Sequence, residues 1–498
     1  MRAVILAAGL GTRLRPITDS KPKCLVKAAG KPILQHQIDA YLAAGVDQIL
    51  VVSGYRADAV ASFCAAYGDK VQIVRNDDYA TTNNMYSLYL AYRQLGDEGF
   101  LLSNGDVVYD PGILQDLLRA EGSFIAADSG SYAEESMKIV VESGCAVDIS
   151  KKIPPAKAYG NSIDLYRFDA ATARQFGQVV RGVIEGERNR NEWTELALQK
   201  MLQSRRIQMK PFDIGKRNWV EIDNFEDLAA ADEKFSPLDF NALELVFVDL
   251  DGTLYLGSGE VRGAADFMRR LQASGKPYML LSNNSSRDKA QYVEKLAQFG
   301  ISASEDSILL STDGAIAHML EMGIKSVYVL GTEALRRSLE KAGIQTEGRE
   351  PQAVLLGYDT ELTYAKLKKA ALLIHRGCPY MATHADVVCP TTEGPIPDIG
   401  SMTALLEKAT GHPPLHVFGK PSAAMVDHVV RARGVARDKV AFIGDRLYTD
   451  MLMARGLGAK FILVLSGETR REAVEEMDDF PDLIVSSVAS LLRSSASP

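Results

Sequence analysis

Two acids two positions apart close the apolar run "LVFVDLDG", at Asp249 and Asp251. At the end of a strand, residues two apart point to the same side. One carboxylate can then attack a phosphorus atom while the other handles the proton of the leaving group. Three later segments supply the remaining parts: Ser282 and Asn283 in "LLSNN", Lys420 in "FGKP", and Asp445 and Asp450 in "VAFIGDRLYTD". A small hydroxyl and a lysine neutralise phosphoryl oxygens, and clustered acids hold Mg2+. Any one of these is commonplace, and an isolated D-x-D also caps helices and turns. All of them in this order, each at a strand end or turn, read as a phosphate-removing site.

A second constellation opens the chain. In "VILAAGLGTRLRP", Gly9 and Gly11 directly follow an apolar run, so the backbone N–H groups of Leu6, Ala7, Ala8, Gly9, Gly11 and Thr12 can approach a triphosphate without Cβ obstruction. Arg13 and Lys23 add positive charge on either side of such a ligand. The pattern lacks the G-K-[ST] of the Walker loop and the third glycine of the dinucleotide fingerprint. Farther on, Asp106 ends "LLSNGD", and Glu221 and Asp223 stand two apart in "WVEIDNF". Acids from these distant segments can converge on one Mg2+ that joins two mutually repelling phosphates.

The elements that must position these residues are short apolar runs alternating with amphipathic segments. "AVILAA", "QILVVSG", "FLLSNGD", "LVFVDLD", "YMLLSNN", "SVYVLG", "AVLLGYD", "VAFIGD" and "FILVLSG" each end in Gly, Asp or Asn, as buried strands of βα units do. The rhythm predicts an α/β fold of parallel sheets with ligands beyond the carboxyl ends of the strands. A helical, acidic segment stops near Ser236-Pro237 and a new strand begins at about Leu245, which places a domain boundary between residues 231 and 244. The last residues of the tail "SSVASLLRSSASP" are expected to fray.

At 498 residues the chain exceeds one hydrophobic core, and 46% hydrophobic with 24% charged residues is the composition of a globular protein. A net charge of -8 argues against nucleic-acid binding through a broad basic surface. Five scattered cysteines, Cys24, Cys64, Cys145, Cys378 and Cys389, include no C-x-x-C pair and fit a reducing cytoplasm. No apolar window reaches the length of a membrane span, and none near the start has the form of a signal peptide. The expected partners are therefore small phosphorylated molecules and a nucleotide, with no nucleic acid and no membrane.

From about residue 243 to 495 the four motifs resemble the haloacid-dehalogenase superfamily of phosphatases. They are most similar to the branch of the bacterial ribonucleotide monophosphatase, the 4-nitrophenylphosphatase and the phosphoglycolate phosphatases. The resemblance implies a Rossmann-like core at about 243–322 and 416–498 with a large α/β cap at about 323–415. It implies Asp249 as a nucleophile that becomes phosphorylated and Asp251 as acid, then base. Ser282, Asn283 and Lys420 would hold the phosphoryl group, and Mg2+ would sit on Asp249, the Asp251 carbonyl and Asp445, with Asp450 as ligand or neighbour. The sequence departs from the family pattern where His384 replaces the usual Asn and where "GPIPDIGS" replaces a more Gly-rich turn. His384 is thus a candidate for substrate contact, against the plainer reading of a solvated loop histidine.

Residues 1–236 resemble the Rossmann-like nucleotidyltransferases that make NDP-sugars and related activated head groups, through "LAAGLGTRLRPITDSKPKCLVKAAGKPIL". The resemblance implies Arg13 and Lys23 for phosphate charge and Asp106 and Asp223 for Mg2+, with Glu221 assisting. "NDDYATTNNMYSLYLA" is similar to the bacterial choline-phosphate cytidylyltransferases, which implies CTP as donor with Asn84 and Ser87 as contacts. The acceptor would be a small phosphorylated or phosphonylated alcohol. An amine-bearing acceptor would call for an aromatic cage, for which Trp193 and Trp219 are candidates against a plainer role in core packing. Two other readings are a UTP- or dTTP-dependent sugar-1-phosphate transferase joined to the same phosphatase, and a chain in which one half is a non-catalytic regulator. Relatives of both kinds often self-associate, so a homo-oligomer is a further expectation.

Overall fold

The computed structural model describes residues 1–96, 98–348, 350–391 and 394–491, so the last residues of the tail lie outside the described residues. The chain divides into two compact units, Met1–Ser236 and Pro237–Pro498. The helix Phe225–Phe235 ends the first unit, opened by a capping box between Asn224 and Asp227.

All nine apolar runs singled out above form strands, each with a fully or largely buried face. In the first unit, Arg2–Ala7 is central and runs parallel to Ile49–Ser53 and Phe100–Asn104. The sheet is nevertheless mixed, which corrects the expectation of purely parallel sheets. Gly160–Phe168 pairs antiparallel with Phe100–Asn104, Phe124–Asp128 and Lys138–Glu142, and the last of these pairs antiparallel with Cys145–Ser150. From Phe124–Asp128 to Gly160–Phe168 the strands follow one another without the α-helix that a parallel crossover requires, and polar residues such as Asn161, Ser162 and Asp164 interrupt their apolar runs. Two apolar clusters cover the two faces, one around Phe100, Phe168 and Phe176, the other around Tyr41, Leu101 and Leu165.

In the second unit the order is Ile308–Leu310, Tyr278–Ser282, Leu245–Asp249, Val440–Gly444, Lys460–Val464 and Leu483–Val485, all parallel. Phe247 and Phe442 stack at 4.8 Å under the middle of this sheet. Between its third and fourth strands in chain order lies a separate four-stranded parallel sheet: Val327–Leu330, Ala353–Leu356, Tyr380–Ala382 and His416–Val417. The helix Ser311–Glu321 packs on it through Ala315 and Met319. The strands of the inserted layer run from Val327 to Val417, and the helix Ser311–Glu321 before them also contacts the core helix Ala424–Arg433.

Truncating Phe442 to Ala removes half of the central stack, and burial of this kind predicts a loss of about 3–5 kcal/mol. Urea titration followed by circular dichroism should show it; a loss under about 1 kcal/mol would mean that the stack does not anchor the sheet.

Candidate active sites

In the first unit the site lies at the carboxyl end of the central strand. Leu6, Ala7, Ala8, Gly9, Gly11 and Thr12 line a cleft of about 410 Å³, together with Arg13, Lys23, Asn84, Ser87, Asp106, Glu221 and Asp223. Gly11 has φ 64°, and a Cβ there would come within 2.8 Å of the Lys23 Cβ, so this turn needs glycine to bring the loop onto the lysine. The acids converge because Val107–Tyr109 pairs antiparallel with Trp219–Glu221, and the Ile222 N–H donates to the Asp106 carbonyl at 2.8 Å. One carboxylate oxygen from each of Asp106, Glu221 and Asp223 falls within 4.8 Å of the others.

Lys23 Nζ bridges Asp106 at 2.8 Å and Asp223 at 2.7 Å, and Arg13 reaches Asp223 at 2.9 Å. Burial works against the lysine's charge, yet Asp106 and Asp223 outweigh it and hold Lys23 above its ordinary pKa. Burial likewise opposes ionisation of Asp223, but Lys23 and Arg13 keep it below the usual carboxylate range. The other Asp106 oxygen is buried without a hydrogen-bond partner. An orphaned carboxylate oxygen beside two further acids fits a divalent cation.

Three charged lining groups escaped the sequence reading: Asp164, Glu195 and Lys151. Asp164 sits at an irregularity of the strand Gly160–Phe168 with φ 54°, accepting from Asn104 Nδ2 at 2.9 Å and the Tyr166 hydroxyl at 3.0 Å. A non-glycine residue with positive φ inside a strand is a cost that functional sites carry. Glu195 is buried in the first turn of Thr194–Gln203, and the Tyr166 hydroxyl lies 3.5 Å from it. The only sequence signals are an acid in the middle of "SIDLYRF" and one on the apolar face of "WTELALQ".

With Glu221 these acids form a crowded, buried group. Burial, then Glu195 and Asp106, push the Asp164 pKa up to about 7. Burial, then Asp164, Asp106 and Asp223, push Glu221 up to about 8, and burial raises Glu195 as well. Trp193 is 48% exposed and lines the cleft with Lys151 Nζ 5.5 Å from its ring, so it is not a core residue. Trp219 packs in the core and donates to Asp128 at 2.8 Å. Asn84 accepts from the Thr194 N–H at 2.8 Å, which fixes the start of the helix carrying Glu195, and Ser87 accepts from Asn76 at 3.0 Å.

In the second unit, Asp249, Ser282 and Asp445 stand at or just beyond the carboxyl ends of three adjacent parallel strands. Asp249, Asp445 and Asp450 bring oxygens within 4.8 Å of one another, all buried. Lys420 Nζ pairs with Asp249 and, at 2.6 Å, with Asp450. Burial, together with Asp450 and Asp445, drives Asp249 well above the usual carboxylate pKa even though Lys420 pulls the other way. Asp445 rises to about 6, from burial and then from Asp450. One Asp445 oxygen accepts from the Glu468 N–H at 2.7 Å; the other is buried without a partner, and again the donor set fits a divalent cation. Cβ atoms at Gly252 or Gly467 would lie 2.3 and 2.0 Å from an Asp445 oxygen, so both glycines make room for this acid.

Asp251 is half-buried, and its carboxylate lies outside the cluster, accepting from the Tyr255 hydroxyl at 3.1 Å. The Ser282 hydroxyl lies 3.1 Å from that of Tyr292 and accepts from the Asn284 N–H. Two expectations need correction. The Asn283 amide is wholly engaged within the protein: Oδ1 accepts from the Lys420 N–H at 2.7 Å, and Nδ2 faces Asp386 and the Lys420 carbonyl. Its side chain is thus spent on Lys420 and not turned toward a phosphoryl group. His384 is not solvated either; it is buried, with Nε2 3.1 Å from Asp398.

Comparison with known proteins agrees with this division. Residues 3–149 match the MobA-like NTP transferase domain, 246–345 the haloacid dehalogenase-like hydrolases, and 417–491 a HAD-hydrolase-like family. The 5'-nucleotidase YutF of Bacillus subtilis is 32% identical over 242 residues, 48% of this chain and 94% of its own length. Phosphoglycolate phosphatase 1A of Arabidopsis thaliana is 30% identical over 284 residues, 51% of this chain and 78% of that protein. Among solved structures, the 4-nitrophenylphosphatase of Thermotoga maritima is 37% identical, covering 50% of this chain and 97% of its own, with a TM-score of 0.49. Among the described residues, no helix is long and apolar enough to cross a membrane.

The raised acids of the first cleft have a measurable consequence. Their folded-state pKa values exceed their ordinary values of 3.8 and 4.5, so between about pH 4 and 8 the folded protein holds protons that an unfolded chain has released. Their contribution to stability therefore falls as pH rises through that window. Thermal unfolding followed by tryptophan fluorescence should show a shallower decline from about pH 5 to 8 in Asp164→Asn than in the unsubstituted protein; equal slopes would contradict the assignment.

Proposed function

Because the chain belongs, over its second unit, to the haloacid dehalogenase-like hydrolases and carries a MobA-like NTP transferase domain in its first, we propose that it is a bifunctional enzyme. The first unit transfers CMP from CTP to a small phosphorylated or phosphonylated alcohol bearing a cationic amine, releasing pyrophosphate. The second hydrolyses phosphate monoesters. The observation that carries the acceptor's charge is the trio Asp164, Glu195 and Glu221. Their pKa values are raised by burial and mutual repulsion, and a bound ammonium or quaternary amine would relieve that repulsion. Trp193 offers the same cation an aromatic face at the rim. The choice of CTP rests on the similarity of residues 76–91 to choline-type cytidylyltransferases, with Asn84 and Ser87 lining the cleft.

In the transferase reaction, backbone N–H groups of the Gly9–Thr12 loop cradle the triphosphate, and Arg13 and Lys23 balance the charge of the departing pyrophosphate. An acceptor phosphate or phosphonate oxygen attacks the α-phosphorus in line, and the bond to the β-phosphate oxygen breaks. Asp106, Glu221 and Asp223 would hold Mg2+, which screens the charge between the two reacting phosphates. In the hydrolase, Asp249 attacks phosphorus while Asp251 protonates the departing alkoxide; Asp251 then takes a proton from the water that attacks the aspartyl-phosphate. Lys420 steadies the phosphoryl oxygens and the Asp249 carboxylate. Asp249, Asp445 and Asp450 would hold the Mg2+ that offsets phosphoryl charge in this second site.

Incubating the protein with each NTP and a panel of small phosphates, followed by pyrophosphate release and mass spectrometry, tests the donor and the acceptor together. A CDP adduct with amine-bearing phosphates is expected, at a rate well above that for glycerol phosphate; preference for a sugar 1-phosphate with UTP or dTTP would replace this reading. Glu195→Gln should raise KM for the amine acceptor by about 10–100-fold, the scale of one charge-assisted contact. Asp249→Asn should abolish phosphatase turnover and spare nucleotidyl transfer, and Asp106→Ala should do the reverse. Loss of both activities from either substitution would show that they are not separate sites.

A further inference from the structure

His384, Asp386 and Asp398 form a third cluster of metal-binding types, buried and with oxygens and nitrogen within 4.8 Å. Two of the three coincide with the departures noted in the sequence, and they contact each other. Yet the cluster differs from the two acid sites in one respect. Asp106 and Asp445 each bury an oxygen without a partner, whereas none of these three does. Asp398 Oδ1 accepts from the Ile399 N–H at 2.7 Å and faces His384, capping the helix Ile399–Thr410. Asp386 accepts from Asn283 Nδ2 at 3.2 and 3.3 Å and lies 3.5 Å from Arg446 Nη1. With no fully buried oxygen left without a partner, the cluster reads as a hydrogen-bonded hub and not a cation cage.

What Asp386 joins is specific. It stands in the turn after Tyr380–Ala382, a strand of the inserted layer, while both its partners belong to the core turns that carry chemistry. Asn283 follows Ser282, and Arg446 follows Asp445. The Asn283 amide clasps both backbone groups of Lys420, accepting from its N–H at 2.7 Å and donating to its carbonyl at 3.1 Å. An Asn amide can satisfy such a pair in only one orientation, and a carboxylate beside Nδ2 forbids the flipped form by repulsion. Gly419, with φ 74°, lets the segment come this close: a Cβ there would lie 2.6 Å from Asn283 Oδ1 and 3.0 Å from the His384 Cβ.

We propose that Asp386 is a positioning residue of the phosphatase site: by orienting Asn283, it registers the inserted layer on the core and holds Lys420 against Asp249. Substrate contact is not required of it. This rests on the phosphatase reading above and extends it to a residue outside the reacting groups. Asp386 converts the seating of the inserted layer into the placement of the lysine ammonium, so a site with the layer lifted has its carboxylates but not its aligned cation.

The test uses the full chain, 4-nitrophenyl phosphate and Mg2+, with kcat and KM measured for Asp386→Ala, Asp386→Asn, Asn283→Ala and the double Ala variant. Misplacement of about 1 Å predicts a fall in kcat of about 10–100-fold for Asp386→Ala, with KM changed less than about threefold. Asp386→Asn keeps an acceptor for Asn283 Nδ2 and should recover most of the rate. The double variant should be no slower than Asn283→Ala alone, because both act through one clasp. Multiplying effects, or an unchanged kcat in Asp386→Ala, would overturn the proposal. Amide hydrogen exchange at Gly419 and Lys420 gives a readout independent of turnover: it should accelerate in Asp386→Ala, and unchanged protection there would also overturn it. If the unsubstituted protein hydrolyses no phosphate monoester with any divalent ion, the phosphatase reading falls, and the exchange measurement alone decides whether Asp386 holds this segment.

Discussion

Repulsion among buried and half-buried carboxylates shapes both sites. At about 4 Å, two like charges cost about 4 kcal/mol at an effective dielectric near 20, and each site gathers three. Each answers with a lysine from a separate turn: Lys23 between Asp106 and Asp223, Lys420 between Asp249 and Asp450. Neither lysine neutralises its site, and in both a buried carboxylate oxygen is left over. The folded protein is thus held in a state that attracts further positive charge. In the first unit the crowding extends beyond these three acids to Asp164 and Glu195, where burial first and then neighbouring carboxylates raise the pKa values.

Two different sheet architectures bring the acids together. In the second unit, parallel strands side by side present Asp249 and Asp445 at the same edge, since every strand carries its last residue there. In the first unit the parallel part of the mixed sheet supplies Asp106, just beyond Phe100–Asn104, but Glu221 and Asp223 arrive through a two-stranded antiparallel pair outside the main sheet. The Gly9–Thr12 loop and the acids Glu221 and Asp223 therefore belong to different pieces of backbone, with Lys23 bonded to Asp223.

The elements that announced themselves in the sequence are those whose signal is local. Nine apolar runs ended in turn residues, and all nine are strands, because continuous β-branched or leucine-rich segments of this length suit a sheet buried on both faces. The acid pairs and glycines were legible because backbone geometry fixes their spacing. Gly160–Phe168 and its antiparallel neighbours were not, since polar residues such as Asn161, Ser162 and Asp164 break up their apolar runs although most of that strand is buried. Asp164 and Glu195 could not be assigned because their meaning lies in burial beside each other, across about thirty residues of chain. Asn283 shows a further limit: residue type pointed to a phosphate contact, while geometry spends its amide on Lys420. For His384, the sequence marked the departure but not its buried partner Asp398.

The placement of the inserted layer has a consequence for how this fold can vary. Chain leaves the core after Ile308–Leu310 and returns through His416–Val417, with Lys420 three residues beyond. Neither crossing interrupts the hydrogen-bonding order of the core strands, so the layer can be lengthened, shortened or exchanged as a cassette without reordering the sheet. The return end is the exception, because it is also the leash of the lysine. Variation in this layer is therefore free at its far edge and constrained where its last strand hands the chain back to the core.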